Sequence, residues 1–488
     1  MNRLTLIAPL LAGTLLAGCA VGPTYQKPET PAVAAAAFVD PGTTRVSPGA
    51  VEGEWWRLFK DPVLDRLVVE ALTHNTDIRQ ASANLKRARA VLSEARGQRL
   101  PTTGLSGSYT RSRIGAAGQQ GAALPAGVDG VELDFFQAGF DASYEVDVFG
   151  RVSRSIEAAR GDLDAAQAAL DAARVAIAAE TARSYAAACG FAAQAEVARE
   201  TVRLQGRTLD LTQRLVEAGR GTARDIDQAR VLAENARAQV PQFEAEQRAA
   251  LYALATLTGR PPAELDIDAS KCTAPPGVSA LIPVGDGQAL LARRPDVRQA
   301  ERTLAAATAR IGVATAGLYP SIRLAGSVSL GAQNLDDLGK SSSFNFSLGP
   351  LISWSLPNLT AARAQVRQAE AGAEGSLAAF DGTVLTALRE VEQALARYSG
   401  EIERNVALRR ADNSATNAAR IAILRFEAGR DSLLQRIDAE RERAGARAAL
   451  AASNAALAEA QVALFKALGG GWEAAPDPVR RGETGSGG

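Results

Sequence analysis

The sequence predicts a mainly α-helical chain with a transmembrane β part, in which one structural unit is written twice. Three observations carry that prediction: very long helical stretches, two pairs of alternating strands, and a repeat of sequence blocks in the same order. Residues 151–216 hold no proline, and neither do residues 358–475. At 1.5 Å per residue a helix of about 65 residues is roughly 100 Å long, far beyond what a globular core needs. In the second stretch Val366, Ala369, Ala373, Leu377, Phe380, Val384, Leu388, Val391, Leu395, Tyr398 and Ile402 recur at threes and fours, an amphipathic stripe for helix-on-helix packing. Hydrophobic residues make up 47% of the chain but aromatics only 5%, so alanine carries the apolar content, as suits closely packed helices.

The repeat is read from matching blocks. Asp77-Ile78-Arg79-Gln80-Ala81 returns as Asp296-Val297-Arg298-Gln299-Ala300, and Pro101, Gly107 and Ser108 meet Pro320, Gly326 and Ser327 at the same offset. Glu217-Ala218-Gly219-Arg220 returns as Glu427-Ala428-Gly429-Arg430 at a slightly shorter one.

In chain order, Arg3 and the apolar run Leu4–Leu15 precede Leu16-Ala17-Gly18-Cys19. That pattern reads as a lipoprotein signal over residues 1–18, with Cys19 acylated as the mature N-terminus. Ala20 rather than aspartate resembles an outer-membrane address. Residues 19–58, rich in proline and alanine, read as an extended strap. Repeat 1 spans 59–263, with strands at about 102–114 and 135–149 and a long helical hairpin at 151–258. A linker, 264–286, leads to repeat 2 at 287–472, with strands at about 321–332 and 344–357 and a hairpin at 359–468. Residues 473–488 read as a disordered tail. Thr73-His74-Asn75-Thr76 reads as a helix break with capping residues, and Pro241 is expected to kink the return helix of repeat 1.

The strands alternate with period two. Phe136, Ala138, Phe140, Ala142, Tyr144 and Val146 interleave with Gln137, Gly139, Asp141, Ser143 and Glu145. The same holds for Ile322, Leu324, Gly326, Val328 and Leu330, and for Phe344, Phe346, Leu348 and Ile352. Such alternation suits a transmembrane barrel, with Phe136, Phe140, Tyr144, Phe344, Phe346 and Trp354 toward lipid and Asp141, Asp147 and Ser353 toward the lumen. Four strands close no barrel, since about eight are needed, and open edges in lipid leave backbone groups unsatisfied. The strand count therefore calls for an oligomer whose chains share one barrel. After the signal no run reads as a transmembrane helix.

Composition excludes other classes. Lys+Arg and Asp+Glu both number 54, so no basic surface calls for nucleic acid. With three cysteines and one histidine, no metal cluster can be assembled from these residue types. No catalytic motif surrounds His74, and neither enzyme activity nor a cofactor is expected. Cys189 sits in helical sequence and Cys272 in a loop. A disulfide between them stays open in an oxidising compartment, but their wide spacing favours two free, partly buried thiols.

The motifs together resemble the TolC-like outer-membrane factors, in particular the NodT/OprM-type lipoprotein branch, over nearly the whole chain. They are Leu16-Ala17-Gly18-Cys19 with Gly22-Pro23 and Tyr25, then Trp55-Trp56, Phe59, Asp61-Pro62 and Leu64. Leu291, Arg293-Arg294-Pro295-Asp296-Val297 and Ala300-Glu301 are the most specific, followed by Ile311-Gly312-Val313-Ala314, Tyr319-Pro320-Ser321 and Leu468-Gly469-Gly470-Gly471-Trp472. The resemblance implies a homotrimer in outer-membrane lipid, a twelve-strand β-barrel on a twelve-helix α-barrel, with most of the chain in the periplasm. It implies the exit duct of a tripartite efflux system for small toxic compounds, antibiotics among them, docked through a periplasmic adaptor (membrane fusion) protein to an inner-membrane pump, expected to be proton-driven. The alternative is a duct for type I protein secretion with an ATP-driven transporter.

Two turns are expected to meet the adaptor: Gly219-Arg220-Gly221-Thr222 and Gly429-Arg430-Asp431-Ser432. Gly221 is an extra glycine relative to the family pattern, and Lys271-Cys272-Thr273 departs from it. Matched onto the family, Leu434 and Asp438 stand at the gate. Arg425, Phe426 and Arg436 support it, the arginines pairing with acids on a neighbouring helix.

Overall fold

The computed structural model describes residues 20–29, 36–38, 45–49, 53–115, 130–264, 266–354, 359–473 and 475–481. Cys19 and the expected signal lie outside them, as do residues 355–357 at the end of the last expected strand. The chain forms two compact units: the segment ending at Lys27 with Lys86–Asp164 and Glu301–Ala379, and the three segments Pro28–Leu85, Ala165–Ala300 and Phe380 onward.

In the first unit β2 (Thr102–Gly115), β3 (Gly130–Val146), β5 (Ser321–Ala332) and β6 (Phe344–Ser353) form one antiparallel sheet in the order β2-β3-β5-β6. Leu105, Phe140, Val328 and Phe346 are cross-strand partners on one face, and Gly104, Asp141, Ser327 and Ser347 on the other. Phe136, Tyr144 and Phe344 share the Phe140 face by parity, and Ser353 the Asp141 face, as the alternation predicts. On the polar face the Ser327 and Ser347 hydroxyls lie 2.8 Å apart. Asp147 departs from expectation. It lies beyond β3, and its carboxylate accepts from the Val152 and Ser153 N–H groups at 2.8 Å, satisfying free donors at the start of a helix.

That helix, α3 (Arg151–Glu217), and α8 (Leu359–Glu427) are the two outgoing rods. Val152, Ile156 and Ala159 pack with Leu92 and Ala95 of α2 (Thr76–Gly97). Buried Arg154 donates to the Val21 and Gly22 carbonyls, both at 3.2 Å. Gly22 has φ 89°, and a Cβ there would lie 2.5 Å from the Gly312 Cα of α7 (Pro295–Ala316). Gly22 therefore serves close backbone approach, while Gly312 leaves room for the Arg154 side chain, 2.8 Å from where its Cβ would lie.

In the second unit α1 (Pro62–His74) is capped by Asp61, whose carboxylate accepts from Val63 and Leu64 N–H. The break at residue 75 is as read: Asn75 Oδ1 accepts from Asp77 and Ile78 N–H. Trp55 stacks on Phe465 of α9 (Leu433–Leu468) with centroids 4.9 Å apart. β1 (Val46–Ser47) pairs in parallel with β4 (Ile282–Pro283), so the strap and the linker hold each other. The linker also carries α5 (Ile267–Ser270) and is followed by α6 (Gly287–Arg293). One helix, α4 (Ala223–Leu257), runs through Pro241.

Three expectations need correction. Cys189 and Cys272 are not free: they form a disulfide with Cα atoms 5.2 Å apart, because folding closes a separation of 83 residues that sequence spacing cannot show. The tail is not disordered over 475–481. The Val479 N–H donates to the Thr73 carbonyl at 2.8 Å, and the Val479 carbonyl accepts from His74 Nδ1 at 3.2 Å. Arg481 reaches Glu70 at 3.2 Å and the Thr258 carbonyl at 3.0 Å. Finally, α9 is long and apolar enough to cross a membrane by length and composition. Its apolarity comes from alanines, and Phe465 near its C-terminal end packs on Trp55 and Phe59.

Candidate functional site: the tips of the two helical hairpins

Both reversals are built the same way. At the end of α3 the Gly219 N–H donates to the Val216 carbonyl at 2.9 Å and the Arg220 N–H to the Leu215 carbonyl at 2.8 Å. At the end of α8 Gly429 and Arg430 repeat this with Phe426 and Arg425 at the same distances. These paired bonds close the last carbonyls of each helix and need a left-handed residue at the turn. Gly219 and Gly429 supply it, with φ 73° and 69°.

Each return helix then starts with a reciprocal cap. Thr222 accepts from the Asp225 N–H while Asp225 accepts from the Thr222 N–H, and Ser432 and Gln435 do likewise. The bond from the Thr222 backbone lowers the Asp225 pKa from its ordinary value, aided by the Thr222 hydroxyl. Arg220, Thr222, Arg430 and Ser432 are exposed, whereas Gly221 and Asp431 are half-buried. Gly221 is no free addition, since a Cβ there would lie 2.8 Å from Val216 Cγ2.

Leu434 and Asp438 lie one turn apart on one face of α9. Leu434 is 55% exposed, and the Asp438 side chain is 50% exposed with its carboxylate 3.2 Å from Arg441. The supporting arginines pair differently from expectation. Arg425 binds Asp431 of its own turn at 2.9 Å, and Arg436 binds Glu440 of its own helix at 3.0 Å. The Arg436 guanidinium also covers the Phe426 ring, 5.3 Å from its centroid. Pairing within the segment wins because the spacings place each partner within reach at little entropic cost.

Glu440 is the residue the sequence reading missed. It is 4% exposed, and its other oxygen accepts from the Thr208 hydroxyl of α3 at 2.6 Å, tying the two hairpins together. Its position four residues after Arg436 was a visible signal; the contact with Thr208 was not. Among the described residues no group of His, Cys, Asp and Glu could hold a metal.

Motif residues from Arg293 to Arg298 hold the second unit together. Arg294 is buried and binds Asp296 at 2.7 Å, Glu390 at 2.7 Å and the Ala467 carbonyl at 3.0 Å, while Arg293 donates to the Leu468 carbonyl. Carbonyls at the end of α9 are thus satisfied by cations, where the helix dipole favours them. Arg298 lies over the Trp472 ring and 3.2 Å from buried Asp171, whose pKa is raised by burial.

Residues 67–260 and 287–470, one segment per repeat, match the family described as outer membrane efflux protein. The chain belongs to that family. It is 32% identical over 468 residues to outer membrane protein OprJ of Pseudomonas aeruginosa, covering 96% of each chain. To the toluene efflux pump outer membrane protein TtgC of Pseudomonas putida it is 30% identical over 478 residues, again 96% of each. The solved outer-membrane channel OprN superposes with a TM-score of 0.86 at 36% identity, over 93% of this chain and 100% of that one. This outer membrane efflux protein is the exit duct of a tripartite efflux system, placed in the outer membrane of a Gram-negative bacterium with its helical part in the periplasm. Members of the family are channel and transport proteins.

Proposed function

We propose that three copies of this chain close a twelve-strand barrel in the outer membrane and a twelve-helix barrel in the periplasm, and that small toxic compounds cross it passively. One observation carries the reading: the sheet ends at β2 and β6, each paired on one side only, while one of its faces is apolar and exposed. Such a sheet is stable in lipid only when closed, and copies of itself supply matching edges. The Cys19 acyl chains then add a second attachment to the lipid.

Energy comes from elsewhere. The duct has two capped, exposed hairpin tips to offer a periplasmic adaptor, which links it to an inner-membrane pump, proton-driven in this reading. The naming of TtgC as an efflux pump protein supports efflux over protein export. At rest Leu434 and Asp438 narrow the periplasmic end: three apolar side chains dewet the pore, and three carboxylates select for cations. The test is native mass measurement of the detergent-solubilised protein together with single-channel recording. A trimer that conducts is expected; a stable folded monomer would end the shared-barrel reading.

A further inference from the structure

Cys189 and Cys272 belong to none of the motifs that carry the family resemblance, yet the fold places them together. Cys189 is 0% exposed within α3. At the next residue, a Cβ on Gly190 would lie 2.7 Å from the Ala455 Cβ, so α3 and α9 touch there without slack. Cys272 is half-buried in the linker, just after α5. The linker's other fastenings are non-covalent. Asp266 pairs with Arg66 at 2.6 Å, the Val278 backbone exchanges bonds of 2.9 and 3.0 Å with Gln461 of α9, and β4 pairs with β1.

The Cα atoms, 5.2 Å apart, stand at the separation a disulfide spans, and the bond adds a covalent tie to the linker's non-covalent ones. The bond also closes a long loop, which restricts the unfolded chain.

We propose that Cys189–Cys272 is an oxidative maturation site. A disulfide-carrying thiol oxidant of the periplasm forms the bond, and the chain needs it to reach the outer membrane in quantity. The Cys272 thiolate attacks the oxidant's disulfide, giving a mixed disulfide and releasing one oxidant thiolate. The Cys189 thiolate then attacks the Cys272 sulfur, forming the internal bond and releasing the second. The two cysteine protons pass to the two departing thiolates, so the oxidant leaves as a dithiol and the chain has lost two electrons and two protons. Because Cys189 is sealed in the finished fold, this step precedes closure of the linker over α3. The inference rests on outer-membrane placement and not on the trimer or the gate.

The experiment has two parts. Full-length protein extracted from outer membranes is denatured and alkylated, with and without prior reduction, and the peptides holding Cys189 and Cys272 are mapped by mass. Label on either cysteine only after reduction is expected; label without reduction overturns the proposal. Membrane-inserted wild type and Cys189→Ala/Cys272→Ala are then quantified in cells with and without periplasmic thiol oxidation. Loss of oxidation should lower the wild type several-fold and leave the double variant at its own level. An unchanged wild type, or an equal fall in the double variant, overturns the assignment.

Discussion

Asp438→Ala probes the proposed gate with little damage to the fold, and the structure shows why. The Asp438 carboxylate is half-exposed and has one ion pair, with Arg441 three residues on. Such a pair contributes about 0.2–0.5 kcal/mol, and alanine regains a similar amount through helix propensity. The two terms cancel to within about 0.5 kcal/mol, so thermal stability should hold. The effect on ions is larger. Three carboxylates at about 6 Å from an axial cation contribute roughly 2 kcal/mol at the dielectric of water, cut to about 1 kcal/mol by physiological salt. Removing them should lower cation preference about fivefold, at 1.4 kcal/mol per tenfold. Planar-bilayer recording in a salt gradient measures it: the reversal potential should move toward zero and conductance should rise, with Leu434→Ala also raising conductance. If both purified variants conduct and select as the parent does, the gate lies elsewhere.

Phe140→Arg should destabilise the barrel by about 2–4 kcal/mol if it sits near the bilayer midplane, while Ser143→Arg on the opposite face is nearly silent in heat-resistance of the oligomer; equal effects would refute the face assignment. Cys19→Ser should lose acyl label in mass measurement yet keep trimer in the outer membrane, and complete loss from the membrane would count against the barrel. Docking is best tested at Arg220→Glu and Arg430→Glu, since Thr222 and Ser432 are helix caps whose loss alone costs about 1 kcal/mol. These variants should abolish efflux with trimer unchanged; normal efflux moves the contact away from the tips. Asp266 is held down to about 2, chiefly by the hydrogen bond from Arg66. Its folded value lies below its unfolded one, so the stability it contributes is complete above about pH 4 and fades as pH falls toward 2. Asp266→Asn should lower the melting temperature at pH 6 and flatten its dependence between pH 4 and 2; an unaltered slope would contradict the pairing.

Local patterns were legible. The period-two alternation located β3, β5 and β6 because an exposed apolar face leaves its mark at every second residue. β3 nonetheless starts at Gly130, five residues earlier than expected, and β6 stops at Ser353. Gly219 and Gly429 marked both turns because a helix reversal needs positive φ, a property of one residue. Leu434 and Asp438 could be matched to a pattern, but a ring of three is not a feature of one chain.

By itself, then, the sequence determined what depends on neighbours within a few residues: the helices, the strands and their faces, the turns, and the duplication. Tertiary structure alone decided what depends on residues far apart in the chain. It joined Cys189 to Cys272 and tied residues 475–481 to α1 through Val479 and Arg481. Thr208 and Glu440 stand 232 residues apart, and each alone reads as an ordinary polar residue on a helix. Only the packing of α3 against α9 removes water from both, so the Glu440 oxygen that Arg436 does not hold is satisfied by the Thr208 hydroxyl.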